Sequence, residues 1–354
     1  MTQVGREPRP DRLLAARVLR EECLAAGFAG FGIARAQTPP RFERFRGWIA
    51  EGRHAGMRYL SETRETRRSP ESLLPGARSV VCLAAPHASG AWTAPDGSRF
   101  ARYARGDDYH GTLRKRALAV VAAARERLGE GWAHRVCVDS TPIAERAFAA
   151  AAGLGWIGKN GCLIDAEQGS YLLLAEILTD LDLPVDEPAA ERCGACVRCL
   201  DACPTGAFLA PGVLDAGRCI AYWTIEHRGP LPDEWKERIG EHVFGCDVCQ
   251  EVCPWNRPLA AGEAAAGHSP AVAMPAPARA EILVMGKGEW RRRFGATAVN
   301  RVGRRGLQRN AAASAGACRD AACRGALEGA SGVADRSVAD ARGWALGRLD
   351  APSL

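Results

Sequence analysis

Seven cysteines stand in two short runs. CGACVRCLDACPTGAF (193–208) holds Cys193, Cys196, Cys199 and Cys203, and GCDVCQEVCPWN (245–256) holds Cys246, Cys249 and Cys253. The first run has the spacing C-x2-C-x2-C-x3-C-P. Two-residue gaps let one tight loop present three thiolates to three corners of a cubane, while the fourth thiolate binds a neighbouring cube. The second run fits the last three positions of a partner motif. Its missing first thiolate has one candidate between residues 204 and 245: Cys219, set apart by the 26 residues 220–245. The spacing predicts two [4Fe–4S] clusters. Cys193, Cys196, Cys199 and Cys253 hold one; Cys203, Cys219, Cys246 and Cys249 hold the other. Paired C-x2-C motifs also suit zinc ribbons, but the triple run and its mate favour cubanes. Clusters of this kind pass single electrons, so the rest of the chain should hold what they reduce.

The other six of the 14 cysteines (Cys23, Cys82, Cys137, Cys162, Cys318 and Cys323) stand alone and read as small buried hydrophobes. Asp139, in VDSTPIAER, ends an extended run just before a helical one. Loops at strand ends carry chemistry in layered folds. A lone Asp there is more often a helix N-cap, but Thr141 is also placed to cap before Pro142, which frees Asp139. The glycines of GLGWIGKNGCL (153–163) follow a helical segment, so they are no dinucleotide fingerprint, and no Ser or Thr follows Lys159 as a P-loop would need. They suit either close backbone approach to a large flat ligand or an ordinary tight turn.

Elements that position these residues can be read from periodicity. Residues 11–30 have helical apolar spacing, 78–87 is a short buried strand, and 112–129 is an amphipathic helix closed by Gly129. Residues 134–140 are a second strand, 142–155 a helix with Pro142 in its first turn, and 171–180 a third apolar run. The alternation predicts an α/β domain over 1–185, then a ferredoxin-like two-cluster domain over 186–260. Residues 259–280 are rich in Ala, Gly and Pro and predict a linker. Residues 287–309 carry eight Lys/Arg against one Glu, a solvated face or a phosphate-binding one. Residues 296–349 suggest Ala-rich HEAT-type helices packed on the cluster domain, giving a helical module over 261–354. The chain's 354 residues suffice for several domains, and its 47% hydrophobic and 25% charged content is ordinary for a folded protein. Net charge is +6, compatible with a nucleic-acid partner but no evidence for one. No apolar run reaches 18 residues and no export signal is evident, so no membrane span and a cytoplasmic location are expected.

Several stretches together resemble the epoxyqueuosine reductase family: RYARGDDYH (102–110), VDSTPIAERAFAAAAGLGWIGKNG (138–161), GSYLLLAEILTD (169–180), both cysteine runs, RCIAYWTIEHRG (218–229) and GLQRNAA (306–312). One departure is Ala221 and Trp223, where family members read close to CISYLTIE. The resemblance implies a cobalamin enzyme. Its clusters, fed by a low-potential donor, deliver electrons to cobalt, and an epoxide on a modified guanosine of tRNA is reduced at the wobble position. It implies that Asp139 is the proton donor, with a pKa raised by burial against the corrin. It implies that Arg102, Lys159 and Asn160 line the cobalamin, that Met57 lies at its rim, and that Asp247 sits where cluster and corrin meet. Tyr109 and His110 face the substrate, and cobalt takes no protein axial ligand. Residues 220–245 and 287–309 are the candidate tRNA contacts, and a monomer is expected. A corrinoid reductive dehalogenase would share both cofactors but not the basic helical module. A pure electron-transfer protein would need neither cobalamin nor Asp139.

Overall fold

The structure is a computed structural model that describes residues 9–87, 90–256, 274–329 and 335–351. Its central sheet has four strands: β1 Gly30–Arg35, β2 Ser79–Pro86, β3 His134–Cys137 and β4 Leu172–Thr179. The spatial order is β1-β2-β4-β3, and every pairing is antiparallel. Alternating helical and extended segments do not encode strand direction, so the antiparallel arrangement is new information. All eight residues of β2 are buried. A strand covered on both faces loses the polar alternation of a half-exposed one, hence its unbroken apolar run. Val81, Leu83 and Ala85 face α1 (Arg12–Ala25) and α2 (Tyr109–Leu128), while Val80, Cys82 and Ala84 face α3 (Glu145–Ala151).

Local chemistry fixes the helix ends. The Asp11 carboxylate accepts from the N–H groups of Leu13 and Leu14, and that of Asp108 accepts from His110 N–H. Gly129, at φ 82°, closes α2. Helix α3 begins at Glu145, not at Pro142 as the sequence suggests. Thr141 caps nothing; Thr141 N–H donates to Val138 O, and Ile143 N–H to Thr141 O, so residues 138–143 form tight turns.

Single-turn helices carry one cysteine of each run, Cys199 in Arg198–Asp201 and Cys249 in Val248–Glu251. The segment between Cys219 and Cys246 forms a π-helical turn (Tyr222–Glu226), a short helix (Asp233–Arg238) and a strand (His242–Phe244). That strand pairs in parallel with Arg99–Phe100, tying the insertion to the first half of the chain. The divergent Trp223 is supported within the insertion: its ring stacks on Trp235 at 4.9 Å, and its Nε1 donates to Gly217 O.

The C-terminal part holds α4 (Arg279–Val284), α5 (Lys287–Phe294), α6 (Gly303–Ala317) and α7 (Arg336–Asp350). Helix α6 is buried from Leu307 to Gly316. Its small residues admit α7 closely; a Cβ on Gly316 would stand 2.7 Å from Ala345 Cα. Gln308, Arg309 and Asn310 are buried as well, so GLQRNAA is a packing element. Most of the predicted 259–280 linker lies outside the described residues. No helix among the described residues is long and apolar enough to cross a membrane.

Candidate active site

The seven cysteines of the two runs and Cys219 fall into two groups. Cys193, Cys196, Cys199 and Cys253 line one cavity of about 340 Å³, together with Lys159, Asn160 and Trp255. Burial raises the Cys199 thiol, and the nearby Cys253, Cys193 and Cys196 raise it further. In the second group, burial pushes Cys246 up to about 12, with Cys219 and Cys203 contributing. Cys249 is raised by burial and then by Cys162, Cys219 and Cys246. Crowded thiols that are hard to ionise alone suit a polycationic cluster, which supplies the missing positive charge. Donors to sulfur are in place: Trp156 Nε1 to Cys193 Sγ at 3.4 Å and Ala207 N–H to Cys203 Sγ at 3.3 Å.

Lys159 and Asn160 belong to this cluster wall. Lys159 Nζ donates to Gly194 O at 2.6 Å, and Asn160 Nδ2 donates to Cys249 O at 3.4 Å, so Asn160 bridges the two cysteine groups. Arg102 and Asp247 meet close by. Asp247 is buried and accepts from Arg102 N–H at 2.8 Å; burial pushes its carboxyl up to about 6. The Arg102 guanidinium lies over the Tyr171 ring at 4.6 Å and reaches Glu251 at 3.2 Å. Arg102 Nε and the Tyr171 hydroxyl are buried without a hydrogen-bond partner among the described residues. Unpaired buried polar atoms are costly in a folded protein and mark a place for a polar ligand.

Asp139 follows β3 in a left-handed conformation, φ 42°. Asp tolerates this region better than most residues, and the turn swings its carboxylate outward, where half of it is exposed. Its Oδ2 accepts from the Tyr109 hydroxyl at 2.9 Å and lies 2.5 Å from His110 Nε2. Its N–H donates to Glu145 Oε1 at 2.5 Å. The expected rise rests on burial against the corrin; the protein's own groups act the other way. Burial does push the Asp139 carboxyl up, but the His110 hydrogen bond and charge, the Tyr109 hydroxyl and Arg301 outweigh it and hold it below the usual range. The raised groups are its neighbours. Glu145 is pushed up by burial and by the Asp139 charge. His110 rises to about 9, chiefly through its hydrogen bond to Asp139.

Met57 lies on the same side of the molecule, with its sulfur 3.5 Å from the Tyr59 hydroxyl. Arg301 stands 5.7 Å above the Tyr59 ring and pairs with Glu226 at 2.9 Å. The arrangement combines a half-exposed carboxylate, a partly exposed imidazole, cationic and aromatic neighbours, and two groups of thiols.

Residues 192–256 match the family described as 4Fe-4S double cluster binding domain, and residues 67–140 match that described as Epoxyqueuosine reductase QueG, DUF1730. The epoxyqueuosine reductase of Xanthomonas campestris is 44% identical over 256 residues, covering 70% of this chain and 72% of the relative. That of Gloeobacter violaceus is 41% identical over 314 residues, covering 85% of this chain and 96% of the relative. The chain belongs to the epoxyqueuosine reductase family. A crystal structure of an epoxyqueuosine reductase with an epoxyqueuosine-modified tRNA-Tyr stem loop superposes with a TM-score of 0.83 at 30% identity, covering 94% of this chain and 89% of that one.

In this epoxyqueuosine reductase homologue the glycine loop takes the tight-turn alternative: a Cβ on Gly155, at φ +146°, would stand 2.1 Å from Ile164 O. Two expectations need correction. Cys318 is exposed, not buried. The basic stretch 287–309 is not one surface. Arg291 and Arg292 are exposed, Arg293 is paired with Glu281, and Arg309 is buried, donating to the carbonyls of His227, Gly229 and Trp223. Sequence reasoning missed Arg301, Glu226, Tyr59 and Glu145 at the site. Glu226 lies inside one of the stretches that carry the family resemblance; Arg301 was one basic residue among eight.

Proposed function

We propose that this protein reduces the epoxide of epoxyqueuosine in tRNA to give queuosine, using cobalamin and electrons relayed through two [4Fe–4S] clusters. The observation that carries this is the similarity, over 94% of the chain, to a reductase crystallised with its modified stem loop. Residues 1–185 form the cobalamin-binding catalytic domain, 186–260 the two-cluster domain, and 261–354 a linker and HEAT-like module that contacts tRNA. The cluster ligands are Cys193, Cys196, Cys199 and Cys253, and Cys203, Cys219, Cys246 and Cys249. Met57, Arg102, Asp139, Asp247, Lys159 and Asn160 would hold the cobalamin. The partnerless Arg102 Nε and Tyr171 hydroxyl fit such a polar ligand. When bound, reduced cobalamin supplies the electrons that break the epoxide.

The chain's own residues do the rest. Asp139 hands a proton to the oxygen released from the ring, since an alkoxide leaves poorly as such. Tyr109 and His110 hold that carboxylate in place through its Oδ2. Exposed cations such as Arg291 and Arg292 neutralise phosphates and position the stem loop, while unpaired anticodon bases are offered to the site. Electrons enter from a low-potential donor, and the protein acts as a monomer.

The test is turnover by anaerobically reconstituted protein, with and without cobalamin, on epoxyqueuosine-containing tRNA, with nucleosides read by mass spectrometry. Cobalamin-dependent loss of one oxygen is expected, and Asp139→Asn should retain both cofactors and lose most turnover. No conversion by fully loaded protein would overturn the assignment; near-normal turnover by Asp139→Asn would remove Asp139 as donor.

A further inference from the structure

Conversion of an epoxide to an alkene breaks both carbon–oxygen bonds and forms a carbon–carbon double bond. It takes up two electrons, which the clusters relay from the low-potential donor, and two protons, and the oxygen leaves as water. One carboxyl holds one proton. A site that completes the reaction needs a second proton or a means of recharging the first donor.

We infer that His110, held between Asp108 and Asp139, is the relay that returns protons from solvent to Asp139, so that this one carboxyl serves both protonations. The inference rests on the proposed role of Asp139 as donor. The geometry is a continuous line of polar atoms. Asp108 Oδ1 is 2.6 Å from His110 Nδ1, and His110 Nε2 is 2.5 Å from Asp139 Oδ2. Ionised carboxylates only accept hydrogen bonds, so a ring with a carboxylate at each nitrogen satisfies both only as a doubly protonated imidazolium. The relay opens outward, because 45% of the Asp108 side chain and 35% of the His110 side chain are exposed. Its backbone is firm: Asp108 is the N-cap of α2, the His110 ring stacks on Tyr109 at 4.2 Å, and Tyr109 is itself buried and bonded to Asp139. Asp139 and Asp108 favour the charged ring from either side. Arg301 and the Tyr109 hydroxyl hold Asp139 in its accepting form, and the Asp139 charge in turn acts on Glu145, Tyr59, Tyr103 and Arg67. Asp108 and His110 are thus positioning residues; Asp139 is the group that meets the substrate.

Three variants of the cofactor-loaded protein test this: His110→Gln, His110→Ala and Asp139→Asn. His110→Gln is expected to lower kcat by about 100-fold, in the range of a lost proton-transfer group. Its KM for the modified stem loop should stay within about twofold, and the alkaline limb of its pH profile should vanish. Imidazole added to His110→Ala should restore rate in proportion to the imidazolium present, which a structural prop would not show. A readout without turnover is carbethoxylation of His110 followed by peptide mass spectrometry. Neutral rings react, so modification should stay slow below about pH 9 in the wild type and become fast at lower pH in Asp139→Asn. Unchanged kcat and pH profile in His110→Gln, or a loss of rate without imidazole rescue, would overturn the relay. If Asp139→Asn is inactive at the same time, the donor assignment stands alone; if Asp139→Asn turns over normally, the donor assignment is what fails.

Discussion

Glu176 should make the protein less stable as pH rises, and Glu176→Gln should abolish that loss. The residue sits mid-strand on β4, fully buried, with Cys82 of β2 and Cys137 of β3 as its register partners. Neither carboxyl oxygen has a hydrogen-bond partner among the described residues. An unpaired buried carboxylate costs several kcal/mol, so the folded protein keeps this group neutral. Burial, then the charges of Glu145 and Asp139, push it well above its ordinary value of 4.5. Below that value the folded and unfolded chains both hold the proton, and stability is unaffected. Above it the unfolded chain ionises and the folded chain does not, so stability falls. The loss is about 1.4 kcal/mol for each pH unit until the folded group titrates. Gln has the same shape, cannot ionise, and leaves a polar amide as poorly paired as the neutral acid. Thermal unfolding of cofactor-loaded wild type and Glu176→Gln should therefore give matching Tm values near pH 4.5 and a variant several degrees more stable near pH 8. A kcal/mol moves Tm by about 2–4 °C in chains of 150–250 residues and somewhat less in a longer one. Parallel Tm curves across that range would refute the claim that Glu176 is held neutral.

Cys219→Ala should disturb one cluster and leave the other, by iron count and EPR; two intact clusters would refute the wiring. Arg309→Met removes donors from three carbonyls of the insertion, and Asn310 Oδ1 loses its donor too. Loss of about 3–5 kcal/mol is expected, read as a fall in Tm and faster proteolysis within 220–245. Replacing Arg291 and Arg292 with Ala should weaken stem-loop binding and flatten its dependence on log salt by about 1.4–1.8 units. Unchanged salt dependence would place the phosphates elsewhere.

The cysteine groups were legible because cluster ligation fixes short spacings along the chain, and Cys219 followed by elimination. Strand β2 was legible because burial on both faces leaves an unbroken apolar run. Strand direction was not, since side-chain periodicity is the same for parallel and antiparallel pairing. The start of α3 was misplaced because Pro142 suits a tight turn as well as a first helical turn. The groups that hold Asp139 down were not legible for a different reason. Burial by a ligand can be argued from chemistry, but the opposing partner, His110, lies 29 residues away and meets Asp139 only in the fold. Arg309 looked like surface charge because nothing local distinguishes a solvated arginine from one that binds the carbonyls of a distant loop.

The insertion gives the second cluster a history as well as a place. Its proposed ligands Cys219 and Cys246 bracket a segment whose carbonyls, at Trp223, Thr224, His227, Gly229 and Val243, are bonded by Arg309 and Asn310. Residues 309 and 310 leave the ribosome long after the last cluster cysteine, Cys253. The first cysteine group can gather as soon as Cys253 is made, whereas the second is expected to wait for α6 to dock. Metallation is thus expected to proceed in a fixed order during synthesis. A chain ended at residue 256 should hold about one cluster by iron count, whatever the iron supply.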